Sequence, residues 1–174
     1  MKQIDLDQLK LGQKGITPTI AAFLVEATIF CLVESGHASG TVLKVTGDFE
    51  EEVEVHWSGE LTEQMRRSWK DQREVTEYGA TAIAALLLAA LTNYEIISRA
   101  DQGEGADYFI GIPETVEIKA VLEVSGIWKE NSKNTLNVRV NRKIRQLIER
   151  QTKLPSFIIV TEFGEPKAKI LRHE

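Results

Sequence analysis

The helix predicted over about Glu74–Thr92 constrains the fold of this chain more than any other feature. Its apolar positions, among them Ala80, Ile83, Leu87 and Leu91, cover nearly the whole circumference of a helix. Such a helix should be largely buried. The pattern then changes to β, and strands and a second helix follow in an order that predicts an α/β protein with a mixed central sheet flanked by helices. The strands are predicted at Tyr94–Arg99, Asp107–Ile112, Val116–Ser125, Phe157–Thr161 and Lys167–Leu171, and the second helix at about Asn137–Thr152.

The size and composition of the chain favour one soluble domain. A length of 174 residues and a hydrophobic content of 43% suit a single domain over residues 1–174, with its main core at 74–171. The single cysteine, Cys31, lies in an apolar run, which we interpret as core packing in a reducing, cytoplasmic compartment. The most apolar stretches are shorter than the ~20 residues that cross a bilayer, so we expect no membrane contact.

The first 70 residues are predicted to form a helix and a β-hairpin that extend the core. Thr17 and Pro18 are typical of a helix start, and Gly36 of a helix end. The apolar stripe of this helix consists of Ile20, Phe23, Leu24, Ala27 and Cys31. The strands Thr41–Val45 and Val53–Trp57 then predict a hairpin. This hairpin would either extend the sheet or form the surface of a homodimer, and the sequence does not decide between them.

The strand predicted at Val116–Ser125 carries different residues on its two faces. Its even positions, from Val116 and Ile118 to Val124, are apolar and should face the core, whereas its odd positions include Glu117, Lys119, Glu123 and Ser125. Asp107 begins the preceding strand, directly after a glycine-rich turn at positions 103–105. Aspartate is uncommon inside strands. Asp107 therefore serves either a functional site or the hydrogen bonding of that turn.

The segment from about Glu74 to Thr161 resembles the PD-(D/E)XK, or restriction-endonuclease-like, superfamily. In that superfamily an acidic residue on one strand faces a Glu-x-Lys on the next, and a helix and a strand follow. The resemblance implies metal-dependent hydrolysis of nucleic acid, with Mg²⁺ or Mn²⁺ held by carboxylates. It also implies an acidic residue from the preceding helix, for which we favour Glu77 over Glu74. Four shorter segments, at 73–80, 105–108, 122–127 and 160–163, also resemble an uncharacterised bacterial family.

The position of the Glu-x-Lys element is open between two parts of one strand. Glu117-Ile118-Lys119 matches the motif by letter. A hairpin that turns at Pro113–Thr115, however, would place Asp107 opposite Val121, roughly 13 Å from Glu117 and one same-face step from Glu123. We therefore favour Asp107 and Glu123 as the pair, which leaves Ser125 where the superfamily has lysine.

A basic stripe on the second helix offers a replacement for that lysine. Arg139, Lys143, Gln146 and Arg150 share one face at helical spacing, opposite Val140, Ile144, Leu147 and Ile148. Lys143 could reach the site, and the stripe could contact nucleic acid; the alternative is a solvated basic face. Glu162 is a further acid that we expect to be exposed.

These residues predict a metal-dependent nuclease or a nuclease-like protein that processes nucleic acid. The alternative is a catalytically inactive protein of the same fold with a binding, structural or oligomeric role. Asp107, Glu123 and Glu77 would be the metal ligands, and Lys143 the catalytic cation. The net charge of −5 disfavours non-specific coating of nucleic acid, although it permits a local basic patch.

Overall fold

A computed structural model describes residues 1–103 and 105–174 of the chain. Glu104, in the predicted glycine-rich turn, lies outside the described residues. The described part is an α/β fold, as predicted. Its strands are β1 (Lys2–Asp5), β2 (Thr41–Gly47), β3 (Glu51–His56), β4 (Glu95–Arg99), β5 (Tyr108–Ile112), β6 (Glu117–Ile127), β7 (Ser156–Glu162) and β8 (Lys167–His173). Its helices are α1 (Leu6–Leu9), α2 (Pro18–Glu34), α3 (Glu63–Ser68), α4 (Gln72–Leu91) and α5 (Leu136–Glu149).

The eight strands form one mixed sheet in the order β1-β3-β2-β8-β7-β6-β5-β4. The predicted hairpin is β2–β3, and β2 pairs in parallel with β8. The hairpin therefore extends the central sheet, as the first of the two predicted roles requires, and its role as a homodimer surface stays a prediction. β1 pairs in parallel with β3 at the sheet edge. The sequence analysis missed β1 and α1, because two elements of four residues each carry almost no periodic signal.

Helices cover both faces of the sheet and create two cores. α2 and α4 pack on one face together with Leu122, Val124 and Phe157, and α5 packs on the other face over Val121 and Ile158. The cap of α2 is confirmed, because the Thr17 hydroxyl accepts a hydrogen bond from the Ile20 amide at 3.3 Å. Two residues of its predicted stripe were wrong: Ile20 and Phe23 are exposed. Phe23 instead packs beside the rings of Trp69 and Tyr78 on the surface.

Helix α4 is the buried helix that the sequence predicted. It has the length and the apolar composition of a membrane-spanning helix, but 67% of its most apolar window is buried inside the protein. Cys31 of α2 is also fully buried against it, as expected of a core cysteine, and this burial raises the pKa of its thiol. Burial on this scale explains the composition of α4 without a bilayer.

The central strand β6 departs from its predicted faces in two ways. Val116 and Ile118, at the turn end of the strand, are exposed although they were predicted to face the core. From Ala120 onward every residue is buried, including those at odd positions. The odd face from Val121 onward is therefore a second interior surface beneath α5.

Candidate active site

The candidate site lies where β6 continues beyond its neighbour β5. The pairing between these strands runs from Ile112–Glu117 to Tyr108–Leu122, and β6 then extends for five more residues, to Ile127. On this open edge, the Val124 amide donates to Oδ2 of Asp107 at 2.9 Å. The next outward amide, that of Gly126, donates to Oε1 of Glu77 at 3.3 Å. Two carboxylates thus accept the hydrogen bonds that a further strand would otherwise accept.

Asp107 and Glu123 lie side by side, although the predicted register was wrong. The pairs beside the turn, such as Ile112 with Glu117, are already displaced by one residue from the predicted register, and a bulge between Ile110 and Gly111 adds a second residue. Phe109, and not Asp107, therefore lies opposite Val121. The Asp107 amide donates to the Leu122 carbonyl oxygen at 3.2 Å. Continuing this register brings Asp107 opposite Glu123. A two-residue shift from the predicted register therefore brings the two carboxylates together, and the bulge supplies one of the two residues.

Glu123 is a buried carboxylate with cations on two sides. Its side chain is 1% exposed, and Lys143 Nζ lies 2.8 Å from its Oε2. The same Nζ lies 3.9 Å from Oδ2 of Asp107, and Nη1 of Arg150 lies 3.6 Å from Oε1 of Glu123. Oε1 is buried and has no hydrogen-bond partner. Burial, and secondly the Asp107 carboxylate, raise the pKa of Glu123, while Lys143 partly opposes them.

Ser125 is joined to the basic helix by a guanidinium. Nη1 of Arg139 donates to the Ser125 hydroxyl at 2.6 Å and to the Gly126 carbonyl oxygen at 3.2 Å, and it lies 3.6 Å from Oε1 of Glu77. The Nε of Arg139 is buried without a hydrogen-bond partner. Burial lowers the pKa of this guanidinium and raises that of the Glu77 carboxyl. Ser125, which stands where the superfamily has lysine, is therefore bonded to Arg139 of α5. Lys143 of the same helix is bonded to Glu123, two residues earlier on the strand.

Three of the four predicted stripe residues contact the site region. Lys143 is 19% exposed and bonded to Glu123, so the alternative of a solvated lysine is wrong. Arg150 donates to the Gly105 carbonyl oxygen at 3.2 Å. Among the described residues the Gln146 amide group makes no hydrogen bond, and Ile148, predicted to be buried, is exposed. Ile148 lies in the last turn of α5, where the helix leaves the sheet.

The other acidic candidates lie elsewhere. Glu117 and Lys119 pair with each other at 2.8 Å at the exposed turn end of β6. Glu74 is exposed in the first turn of α4. Glu162 was expected to be exposed but is buried, because its carboxylate accepts hydrogen bonds from the backbone amides of Glu130 and Glu165. Glu162 therefore stabilises a turn.

A groove of three adjoining cavities passes over the site. The first has a volume of about 400 Å³ and shares Glu77 with the second, of about 180 Å³; the second shares Arg99 and Asp107 with the third, of about 530 Å³. Sequence reasoning missed several lining residues: Arg73, Arg99, Tyr108, Trp128 and Arg142. Spacing held a signal for two of them, because Arg73 precedes Glu77 by four residues and Arg142 follows Arg139 by three, so that each shares a helix face with a named residue.

The carboxylates fit a divalent cation as a pair. Asp107 and Glu123 offer neighbouring carboxylate oxygens, and Oε1 of Glu123 is buried without a hydrogen bond, with the Arg150 guanidinium 3.6 Å away. Mg²⁺ commonly binds one or two carboxylates, with water and phosphate completing its shell. Within residues 1–103 and 105–174, no three His, Cys, Asp or Glu side chains are grouped as a metal site. Glu77, bonded to the Gly126 amide, therefore suits an outer position better than the predicted ligand role.

Comparisons with known proteins assign no family to the chain. No family model, no curated protein and no solved structure matches it. The resemblance to PD-(D/E)XK proteins therefore stays a prediction from the motif. The α/β fold and the geometry of the groove are the observations on which a function can be based.

Proposed function

We propose that this protein is a metal-dependent nuclease whose centre is Asp107, Glu123 and Lys143. The observation that carries the proposal is the position of the Lys143 ammonium, 2.8 Å from one carboxylate and 3.9 Å from the other. A lysine beside two carboxylates is the set that the resemblance implies, with the lysine supplied by α5 instead of by β6. Asp107 and Lys143 line the second cavity of the groove, and Glu123 is buried behind them, bonded to Lys143.

The groove supplies the charge that a phosphodiester backbone requires. Arg73, Arg142, Arg99 and Arg150 line its cavities, in addition to the two cations at the centre. Contacts between such side chains and phosphates provide most of the sequence-independent affinity for nucleic acid. A chain with a net charge of −5 can therefore still bind a polyanion, because these cations are concentrated along one surface.

The residues of the centre have distinct roles in this proposal. Asp107 and Glu123 would hold Mg²⁺ or Mn²⁺, which supplies Lewis-acid polarisation of the phosphate and a lowered pKa of water. Lys143 partly offsets the effect of burial on the pKa of Glu123, and it would stabilise negative charge that develops on the phosphate. Arg139 fixes Ser125 and the Gly126 carbonyl at the strand edge, and Glu77 orients that edge through the Gly126 amide.

The test is cleavage of single- and double-stranded DNA and RNA with Mg²⁺ or Mn²⁺. We expect Glu123→Gln and Lys143→Ala each to reduce the cleavage rate at least ~100-fold, since each removes a charge at the reacting centre. The matched controls, Glu117→Gln and Lys119→Ala, change the same residue types at the other end of the same strand and should leave the rate unchanged. Equal losses in both sets would overturn the assignment.

The relocated lysine permits a rescue experiment. In the double variant Ser125→Lys/Lys143→Ala, the ammonium returns to the strand position that the superfamily uses. We expect this variant to regain cleavage relative to Lys143→Ala alone, because the cation again neighbours Glu123. Ser125→Lys alone should fold less stably, since it adds a cation beside Arg139 and Lys143. A double variant that is as inactive as Lys143→Ala, yet keeps the circular dichroism spectrum of the wild type, would contradict the proposed role of the lysine.

A second candidate function, nucleic-acid binding without catalysis, is favoured by one observation. Lys143 already neutralises the two carboxylates, so their charge is compensated without a metal ion. Calorimetry with Mg²⁺ and Mn²⁺ separates the candidates. Metal binding that is lost in Asp107→Ala and Glu123→Ala favours the nuclease, whereas retention of an oligonucleotide with no heat of metal binding favours the binding protein.

A further inference from the structure

The first cavity of the groove, which we call the arginine cavity, is lined by more cationic than anionic side chains. It is lined by Arg73, Arg139, Arg142, Glu77, Trp128 and Asn134, among others, and its volume is about 400 Å³. Of its charged residues, three are arginines and one is a carboxylate. The carboxylate, Glu77, lies 3.6 Å from Arg139. Two guanidinium charges are therefore left without compensation.

The uncompensated arginines have no partners in the described chain. Within residues 1–103 and 105–174, Arg73 and Arg142 form no ion pair, and their charges act unfavourably on that of Arg139. The Nε of Arg139 is buried without a hydrogen-bond partner. Unsatisfied buried donors and adjacent like charges both cost stability unless an anion binds between them. Guanidinium groups suit phosphate in particular, because their paired N–H donors match its oxygens.

An aromatic side chain accompanies these arginines. Trp128 follows β6 directly, is half-buried and lines the arginine cavity. Phe30 packs against it, with the ring centroids 6.0 Å apart. Proteins that bind single strands combine cations for the backbone with aromatic rings for the bases. In a duplex the bases stack on one another, so a ring beside the phosphate-binding cations would have no base to contact.

We propose that the arginine cavity holds one nucleotide of a single-stranded nucleic acid, with its phosphate on Arg73, Arg139 and Arg142 and its base against Trp128. This nucleotide lies next to the carboxylate centre, because Glu77 belongs to both cavities. The inference rests on the proposed function in taking nucleic acid as the ligand, and it specifies the substrate as a single strand. Binding of this nucleotide does not itself require the metal ion.

The test is binding of a fluorescent oligothymidylate of about ten nucleotides, within the usual site sizes for single strands. Anisotropy is measured in EDTA over a range of salt concentrations. We expect Arg73→Ala and Arg142→Ala each to weaken binding several-fold and to reduce the salt slope by ~0.7 per lost phosphate contact. Arg145→Ala is the matched control, because Arg145 is an exposed arginine of α5, like Arg142, but lines none of the three cavities. This variant should change neither the affinity nor the salt slope appreciably.

Variants at Trp128 test the base contact separately. Trp128→Ala should weaken binding about tenfold, from the stacking energy lost per base, whereas Trp128→Phe should retain most of the affinity. Because Trp128 packs on Phe30, the melting temperature of each variant is measured in parallel, and Trp128→Phe keeps the test valid if Trp128→Ala unfolds. Equal affinity of Trp128→Ala, Trp128→Phe and the wild type would overturn the base contact.

The outcomes distinguish this inference from the proposed nuclease function. Binding that depends on Arg73, Arg142 and Trp128, without any metal-dependent cleavage, would support the nucleotide site and remove the nuclease. Metal-dependent cleavage whose rate is unchanged by substitution of these three residues would support the nuclease and overturn the nucleotide site. A hairpin duplex that competes as well as the single strand would overturn the single-strand specificity.

Discussion

The two ends of β6 carry similar acidic residues in opposite environments. At the turn end, Glu117 and Lys119 are exposed and bonded to each other. At the far end, Glu123 is buried under α5 and bonded to a lysine from that helix. The turn end has the letters of the motif, whereas the far end has its surroundings: a second carboxylate, cations and a groove.

The difference shows that burial gives a carboxylate its chemical character. A pair that solvent can reach contributes little to stability, because water screens both charges. A buried carboxylate is destabilised in its ionised form unless a partner compensates it, and such a group can then bind a metal ion or a proton.

Removal of the buried lysine should have the largest effect on stability. Lys143→Met leaves Glu123 buried without its closest cation, for which we expect a loss of about 3 kcal/mol in the free energy of unfolding. Lys119→Met at the exposed end should cost less than about 0.5 kcal/mol. Urea denaturation at pH 7 measures both. Equal losses would show that the two lysines have equivalent surroundings and would invalidate the comparison.

The close approach of α4 to the far end of β6 should be the next most sensitive feature. A Cβ on Gly126 would lie 2.4 Å from the Thr76 carbonyl oxygen, so Gly126→Ala must displace the helix that carries Glu77. We expect a loss of about 2 kcal/mol, typical of overpacking. Thermal unfolding monitored by circular dichroism measures it. An unchanged melting temperature would mean that α4 does not approach β6 this closely.

The pH dependence of stability should distinguish the two glutamates. The folded-state pKa of Glu123 is raised above its usual 4.5, so the folded state binds this proton more tightly than the unfolded state does. The stability that this group contributes is therefore present below pH 4.5 and is lost as the pH rises through the folded pKa. The wild type should lose stability relative to Glu123→Gln across that interval, by at most about 1.4 kcal/mol per pH unit.

The exposed glutamate provides the smallest effect and the control for that titration. Glu117→Gln should change the free energy of unfolding by less than about 0.5 kcal/mol at any pH between 4 and 8, because the Glu117–Lys119 pair is exposed on both sides. The comparison uses differences from the wild type, so the titration of other carboxylates cancels. If Glu117→Gln changed the pH dependence of stability as much as Glu123→Gln does, the raised pKa could not be specific to Glu123.

Sequence periodicity predicted most elements, because long amphipathic or apolar segments have few alternatives. The limits of α4 and β6 were each within two residues of those observed. The pairing register of β5 and β6 could not be predicted from periodicity, because the bulge between Ile110 and Gly111 leaves no mark in the pattern of apolar and polar residues. Asp107, Glu123 and Lys143 were named from the sequence, because the resemblance implies a carboxylate pair with a cation and the spacing of strand and helix offered these residues for it.

The arginine cavity could not be predicted in the same way. Arg73 and Arg142 belong to different helices on opposite faces of the sheet. They share a cavity because α4 passes close to Gly126 and because the edge of β6 is open there. The burial of Glu162 was also missed, since its partners are backbone amides, which have no letter in the sequence.

The open edge of β6 has a consequence for handling the protein. Unpaired strand amides can recruit a strand from another molecule, and charged side chains are one means by which native sheets prevent this. Asp107 and Glu77 accept the hydrogen bonds of the Val124 and Gly126 amides, so these amides cannot pair with a strand of another molecule. A variant that lacks both carboxylates should expose an adhesive edge and precipitate more readily than either single variant. Loss of activity in such a double variant would then result from aggregation as much as from removal of the two carboxylates.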